Sequence, residues 1–213
     1  VFEAQELAHQ FLDEVKNMMQ IKHPADEWKV SSISQDELNN QHTRLEQVYQ
    51  GIPVYGAEII LHAKNGVNEV MNGRYFPTPE LPYTSAAINS ADAIRSAIKE
   101  LQSKTKWKEL NDVQSQLCKY KGPEAKLVVY HVNQDATKEK ITWHIKIKPN
   151  WLESWNVFID ANTGEVLHSF NNACTINGPK TASGNDLNGV NRTINTYEYN
   201  GSFYLIDASR SMY

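Results

Sequence analysis

Apolar residues return along this chain at two different intervals. Between Phe2 and Met19, Leu7, Phe11, Val15 and Met18 recur every three or four positions, while Glu3, Glu6, Asp13 and Lys16 fall outside that stripe. This spacing predicts an amphipathic helix. Pro24 ends it, and residues 28–33 read as a first strand. Residues 44–49 and 52–63 follow as strands, with Gly51 and Pro53 marking a kink or an edge between them. In the longer strand Ala57, Ile59, Leu61 and Ala63 share one face, and Glu58, Ile60, His62 and Lys64 the other. Asn65-Gly66 is a hairpin signal that returns residues 67–75 antiparallel.

Pro77, Pro79 and Pro82, interleaved with Thr78, Thr84 and Ser85, form a stiff connector and a candidate domain boundary. The pattern then repeats. Ser90 is the predicted cap of a helix whose Ala93, Ile94, Ala97, Ile98 and Leu101 line one side. Residues 126–132 read as a strand. Residues 141–148 alternate, with Ile141, Trp143, Ile145 and Ile147 inward and Thr142, His144, Lys146 and Lys148 outward. Residues 155–159 repeat that alternation before the turn at 160–164, and 165–170 close a hairpin. A helix followed by antiparallel strands, twice over, predicts an α+β fold of two small domains, each an antiparallel sheet packed with helix. From Asn171 onward Asn, Gly, Ser and Thr dominate through Gly189, which reads as a linker. Residues 192–199 and 202–207 then predict a further hairpin around Asn200-Gly201 in an extended C-terminal segment.

At 213 residues, with 40% hydrophobic and 22% charged residues, the chain is long enough to bury a substantial core. A net charge of −4 without a basic run argues against a nucleic-acid partner. No apolar stretch approaches the ~20 residues needed to cross a bilayer, which argues against a membrane one. The chain opens at Val1 without a signal peptide, read as removed or not included. Cys118 and Cys174 are two unpaired thiols or one disulfide; the disulfide would close a large loop and stabilise by roughly 4 kcal/mol.

The candidate chemistry is sparse. None of the seven histidines (His9, His23, His42, His62, His131, His144, His168) precedes Glu in a zinc-helix pattern, and no two lie four apart. His131 and His144, if they met on neighbouring strands, would offer a two-ligand surface site; solvated strand histidines are the alternative. Asp160 and Glu165 flank a tight turn, where Asp160 caps backbone amides and Glu165 faces water. No nucleophile elbow or phosphate loop is present. The residues define no catalytic, cofactor or metal site in this chain.

The 47–57 stretch, Gln-Val-Tyr-Gln-Gly-Ile-Pro-Val-Tyr-Gly-Ala, resembles the core of the fungalysin/thermolysin propeptide domain, and the resemblance extends over about 27–75. Residues 127–171 resemble a PepSY domain, carried by Val157-Phe158-Ile159-Asp160-Ala161-Asn162-Thr163-Gly164-Glu165-Val166-Leu167. Residues 184–210 are similar to the opening strands of a thermolysin-like catalytic domain, whose His-Glu-x-x-His helix is absent here. The resemblance implies a propeptide-like domain over 1–80, a PepSY-like domain over 86–172, and a linker with the start of a peptidase domain over 173–213.

What it implies about function is a proregion of a secreted thermolysin-like zinc metalloendopeptidase. Such a proregion is an intramolecular chaperone and inhibitor, whose partner is the catalytic domain of its own protease, and it is removed by cleavage near 171–181. Zinc, and calcium with it, would belong to the parent protease. A free-standing inhibitor or binding module acting in trans is the alternative, against which the protease-like tail counts. The tail Phe170, Asn171, Asn172, Ala173 and Cys174 would lie along the protease cleft as an added edge strand. Phe170 is either its apolar anchor or a closing residue of the preceding core. Cys174 is either a thiolate latch on the catalytic zinc, or an exposed thiol, or half of a disulfide with Cys118.

Overall fold

In the computed structural model, residues 2–172, 179–199 and 202–205 are described. The chain divides into two compact units, Val1–Phe170 and Asn171–Tyr213. The first begins with α1 (Phe2–Met19) and a single turn, α2 (Pro24–Glu27), and continues into β1 (Trp28–Gln35), β2 (Gln41–Tyr49), β3 (Ile52–Lys64) and β4 (Val67–Arg74). A second round follows: α3 (Ser90–Lys104), α4 (Asp112–Leu117), β5 (Glu124–His131), β6 (Glu139–Ile147), β7 (Trp155–Asp160) and β8 (Val166–Asn171). The α+β class and the helix-then-strands order are as expected.

All eight strands form one sheet, in the order β1-β2-β3-β5-β6-β7-β8, with β4 also paired to β3. The long strand β3 joins the two rounds. Its later part pairs antiparallel with β4, and its start pairs parallel with β5 at Val54 and Val129. The turns at Gln50-Gly51 and Asn65-Gly66 put both residues in the left-handed region, as tight hairpins with right-handed strand twist require.

Each helix covers one inner stretch of the sheet. Under α1 lie Trp28, Leu45, Ile59 and Leu61. The helix sinks Ala8, Leu12 and Met19 into that core, with Phe11 and Val15 at its flank, whereas Met18 is 72% exposed. The buried stripe is thus displaced by one position from Leu7, Phe11, Val15 and Met18. Ala8 and Trp28 share that core, and His9 Nε2 of α1 lies 3.2 Å from the Trp28 carbonyl. Under α3, Ala93, Ala97 and Leu101 pack on Ile145, Ile147, Val157 and Ile159, as the apolar pattern predicts. The cap of α3 is Asn89 and not Ser90: the Asn89 side chain accepts the amide of Asp92, and Ser90 is already helical.

The proline connector is anchored at several points. Thr78 donates to the buried carboxylate of Glu27 and its oxygen accepts the amide of Lys22, while the amide of Glu80 donates to Glu139. Phe76, Leu81 and Ala86 join Val54, Val129 and Ile141 in a core between the two rounds.

In the second unit, β9 (Pro179–Asn185), β10 (Asn191–Tyr199) and β11 (Ser202–Tyr204) form a three-stranded antiparallel sheet in the order β11-β10-β9. The hairpin of β10 and β11 is where it was expected. Strand β9 was not, because 179–185 lacks apolar alternation and read as linker. It is held by its backbone register with β10, and Asp186 closes the turn by accepting the amides of Asn188 and Val190.

Candidate functional site

The stretch 47–57 is mostly architecture. Gln47 continues the buried face of Thr43 and Leu45 on β2 and is itself fully buried. There its Nε2 donates to the Phe76 carbonyl at 2.7 Å, and its Oε1 accepts the Phe76 amide at 3.0 Å. Gln47 therefore fixes the point where β4 passes into the connector.

Tyr55 is different. It sits on the outer face of the sheet, away from the helices, with its ring edge-on to Phe158 at 4.7 Å, His144 at 4.9 Å and Tyr130 at 5.9 Å. Because β3 and β5 are neighbours, this residue from the first round reaches an aromatic cluster built by the second. Phe158 is fully buried at its centre, stacked against His144 at 4.7 Å and Tyr130 at 4.2 Å. Phe170 packs 6.2 Å away. The Tyr130 hydroxyl is 2.7 Å from His168 Nδ1, and His144 Nε2 is 2.7 Å from Asn156 Oδ1. This cluster overturns the outward placement of Thr142 and His144, which are 0% and 7% exposed. The aromatic rings contributed by β3, β5, β7 and β8 cover the second face of β6.

Beside the cluster runs a groove of roughly 510 Å³ bordered by Glu46, Tyr55, Glu58, Lys126, His144 and Lys146. Burial pushes the hydroxyls of Tyr55 and Tyr130 above the ordinary tyrosine value, with Tyr55 adding to the effect on Tyr130. Burial likewise pushes His144 down, against the opposing hydrogen bond to Asn156. The result is a neutral aromatic island bordered by side chains of both charges. Apolar rings and flanking charges of both signs together offer a binding surface.

Of the residues singled out from the sequence, Phe170 lies in the cluster, next to Leu167. Asn171 ends β8 and Asn172 follows it; Ala173 and Cys174 lie outside the described residues. Cys118 is the half-buried C-cap of α4, and its pairing with Cys174 likewise falls outside what is described. His131 and His144 do not meet. The antiparallel register sets His131 opposite Glu139 and His144 opposite Lys126, at different ends of the ladder. His131 instead stacks on Phe76 at 3.7 Å. Asp160 caps the turn as expected, its Oδ1 accepting the amides of Asn162 and Thr163, and Lys140 adds an ion pair. Among the described residues no group of three or more His, Cys, Asp or Glu could hold a metal ion. Tyr55, Tyr130 and Phe158 escaped the sequence reading as site residues, and His144 was read there only as a possible partner of His131. Their signal was the run Val157-Phe158-Ile159, a continuous apolar stretch of the kind buried on both faces and not an alternating one.

Residues 26–75 of this chain match the Fungalysin/Thermolysin Propeptide Motif. The resemblance of 47–57 to the propeptide domain of the fungalysin/thermolysin group is thereby borne out. Along nearly its whole length the chain is similar to particular members of that group. It is 28% identical to Thermolysin of Alicyclobacillus acidocaldarius subsp. acidocaldarius, over 97% of this chain and 39% of that protein. It is 26% identical to Bacillolysin of Brevibacillus brevis, over 85% of this chain and 33% of that protein. The chain thus spans about two fifths or less of the length of these relatives. Among solved structures, the Bacillus megaterium YpeB C-terminal domain aligns with a TM-score of 0.35 and 14% identity, over 79% of this chain and 63% of that one.

Proposed function

We propose that this chain is the proregion of a secreted thermolysin-like zinc metalloendopeptidase, acting as intramolecular chaperone and inhibitor of its own catalytic domain. The observation that carries the reading is that similarity to thermolysin-type proteases continues over 97% of the chain, through both rounds of the fold and into the tail. In this reading 1–80 is the propeptide-like segment, 86–172 is PepSY-like, and 173–213 begins the peptidase, with zinc and calcium held by the parent enzyme. Cleavage falls near 171–181.

The chain works by binding. A folded proregion that binds the native protease and not its unfolded chain stabilises the native state by mass action, and the same contacts cover the cleft. The outer face supplies those contacts: the half-buried rings of Tyr55 and Phe170 for apolar burial, and Lys126, Lys146, Glu46 and Glu58 for orientation at the rim. In this reading the tail Phe170 to Cys174 adds an edge strand along the protease cleft.

The test is inhibition of a mature thermolysin-like protease by the purified chain, compared with a chain ending after Leu167 and with Lys126→Glu/Lys146→Glu. Both variants are expected to weaken inhibition while the truncated chain stays folded. Undiminished potency of the truncated chain would remove the tail model, and undiminished potency of both would remove the face from the interface. If the chain inhibits only when supplied separately and never assists refolding of the enzyme, it acts in trans.

A further inference from the structure

On the outer face of the first round, His42 of β2 and His62 of β3 stand directly opposite in the antiparallel register. Their rings meet edge-on, with centroids 4.8 Å apart and the two Nδ1 atoms 2.6 Å apart. The far nitrogen of each ring faces an oxygen: His42 Nε2 is 3.3 Å from Asp36 Oδ2, and His62 Nε2 contacts Asn72 Oδ1. Asp36 is rigidly placed, since it accepts the backbone amides of Leu38 and Asn40 and the side-chain amide of Asn40.

Proton bookkeeping makes this pair unusual. A carboxylate and an amide oxygen are acceptors only, so both Nε2 atoms must carry the ring proton. A neutral imidazole has one N–H, which leaves both Nδ1 atoms as bare lone pairs aimed at each other. Two lone pairs at that separation repel unless a cation lies between them. An imidazole whose outer N–H is held by a carboxylate or carbonyl is the usual arrangement of a metal-ligating histidine. We propose that His42 Nδ1 and His62 Nδ1 are the two protein ligands of a divalent transition-metal site on the β2–β3 ladder, with Asp36 and Asn72 as its outer hydrogen-bond partners. Imidazole suits zinc, copper and nickel, and water fills the remaining positions. Bonds of about 2.0–2.1 Å in tetrahedral geometry require the nitrogens to open to roughly 3.3 Å, a small rotation for two partly exposed rings. The site is independent of the inhibitory role and uses none of the residues on the aromatic face.

The decisive measurement is a Zn²⁺ titration of the full chain at pH 7.5, followed by calorimetry and by the ¹⁵N shifts of the histidine rings. One equivalent is expected to bind, moving the Nδ1 resonances of His42 and His62 and leaving those of the other five histidines in place. His62→Gln is expected to abolish that uptake, and Asp36→Asn to weaken it by about 10–100-fold. Zn²⁺ should also raise the melting temperature of the native chain and not that of His62→Gln. Uptake unchanged in His62→Gln would overturn the assignment. So would a native chain that takes up no Zn²⁺ and shows a single proton shared between the two Nδ1 atoms, a result that does not depend on any variant folding.

Discussion

Gln47 offers the sharpest test of how the propeptide motif works. Gln47→Leu conserves volume but removes both hydrogen bonds to Phe76, at 2.7 and 3.0 Å, from a site where Gln47 is 0% and Phe76 6% exposed. The Phe76 amide and carbonyl are then left without partners away from water. Each such group costs about 1–3 kcal/mol, so a loss of about 3 kcal/mol is a conservative sum. For a chain of this size about 2–4 °C accompanies each kcal/mol, which puts the expected drop in melting temperature at roughly 6–12 °C. Gln47→Glu keeps an acceptor for the Phe76 amide but turns a carboxylate oxygen toward the Phe76 carbonyl, so it should be worse than Leu. Urea unfolding followed by tryptophan fluorescence reads both. If Leu costs under ~0.5 kcal/mol, or Glu is the milder change, the buried amide is not what holds the junction. The same reasoning expects Gln47→Leu to inhibit normally per folded molecule, because Gln47 is 0% exposed and offers a partner no surface.

Other outcomes follow from the same packing. Phe158→Ala removes the centre of the aromatic cluster and is expected to cost about 3–5 kcal/mol in urea unfolding; a loss near 1 kcal/mol would mean the cluster is loosely packed. His131 is buried with neither ring nitrogen hydrogen-bonded, and burial pushes it below the ordinary histidine value, against the opposing pull of Glu139 and Asp135. His144 is shifted the same way. Above about pH 6.5 such a histidine is neutral in both states and contributes nothing to the pH dependence. As pH falls below 6.5 the unfolded chain takes up the proton first, so stability is lost until the folded-state value is passed. Urea midpoints should therefore drop between pH 6.5 and 5. His131→Phe, which keeps the stack on Phe76 and breaks no hydrogen bond, should lessen that drop without loss at pH 7.5. An unchanged acid slope in His131→Phe would remove His131 as a cause.

How much was legible in advance depended on what carried each signal. The positions of α1, α3 and β3, and the hairpin at Asn65-Gly66, were readable because local spacing and turn chemistry dictate them. The inward face of β3, Ala57 to Ala63, followed from alternation alone. Thr142 and His144 were misplaced because alternation reports one buried face, and the cover on the other comes from Tyr55, some ninety residues earlier in the chain. The His42 and His62 pairing was hidden for a related reason. It depends on the β2–β3 register, and register is set by the turn and the core together, so two histidines twenty positions apart give no local sign of meeting. Strand β9 was invisible because its residues are polar and only the backbone ladder defines it.

The division of the sequence into two segments and the way the core is built are therefore different things. The motif match ends at residue 75, yet Val54 and Ala57, inside that match, are buried against Val129, Ile141 and Ala161 from the second round. Val129, Ile141 and Ala161 are each 0% exposed, so separating the rounds would bare a continuous apolar surface on both. The outer face makes the same point from the other side: Tyr55 belongs to the motif, while every ring it touches belongs to the second round. A surface assembled in that way exists only when both rounds are folded together. Binding through it therefore reports on the fold of the whole first unit, which suits a segment whose proposed task is to stabilise one native state of its partner over the misfolded alternatives.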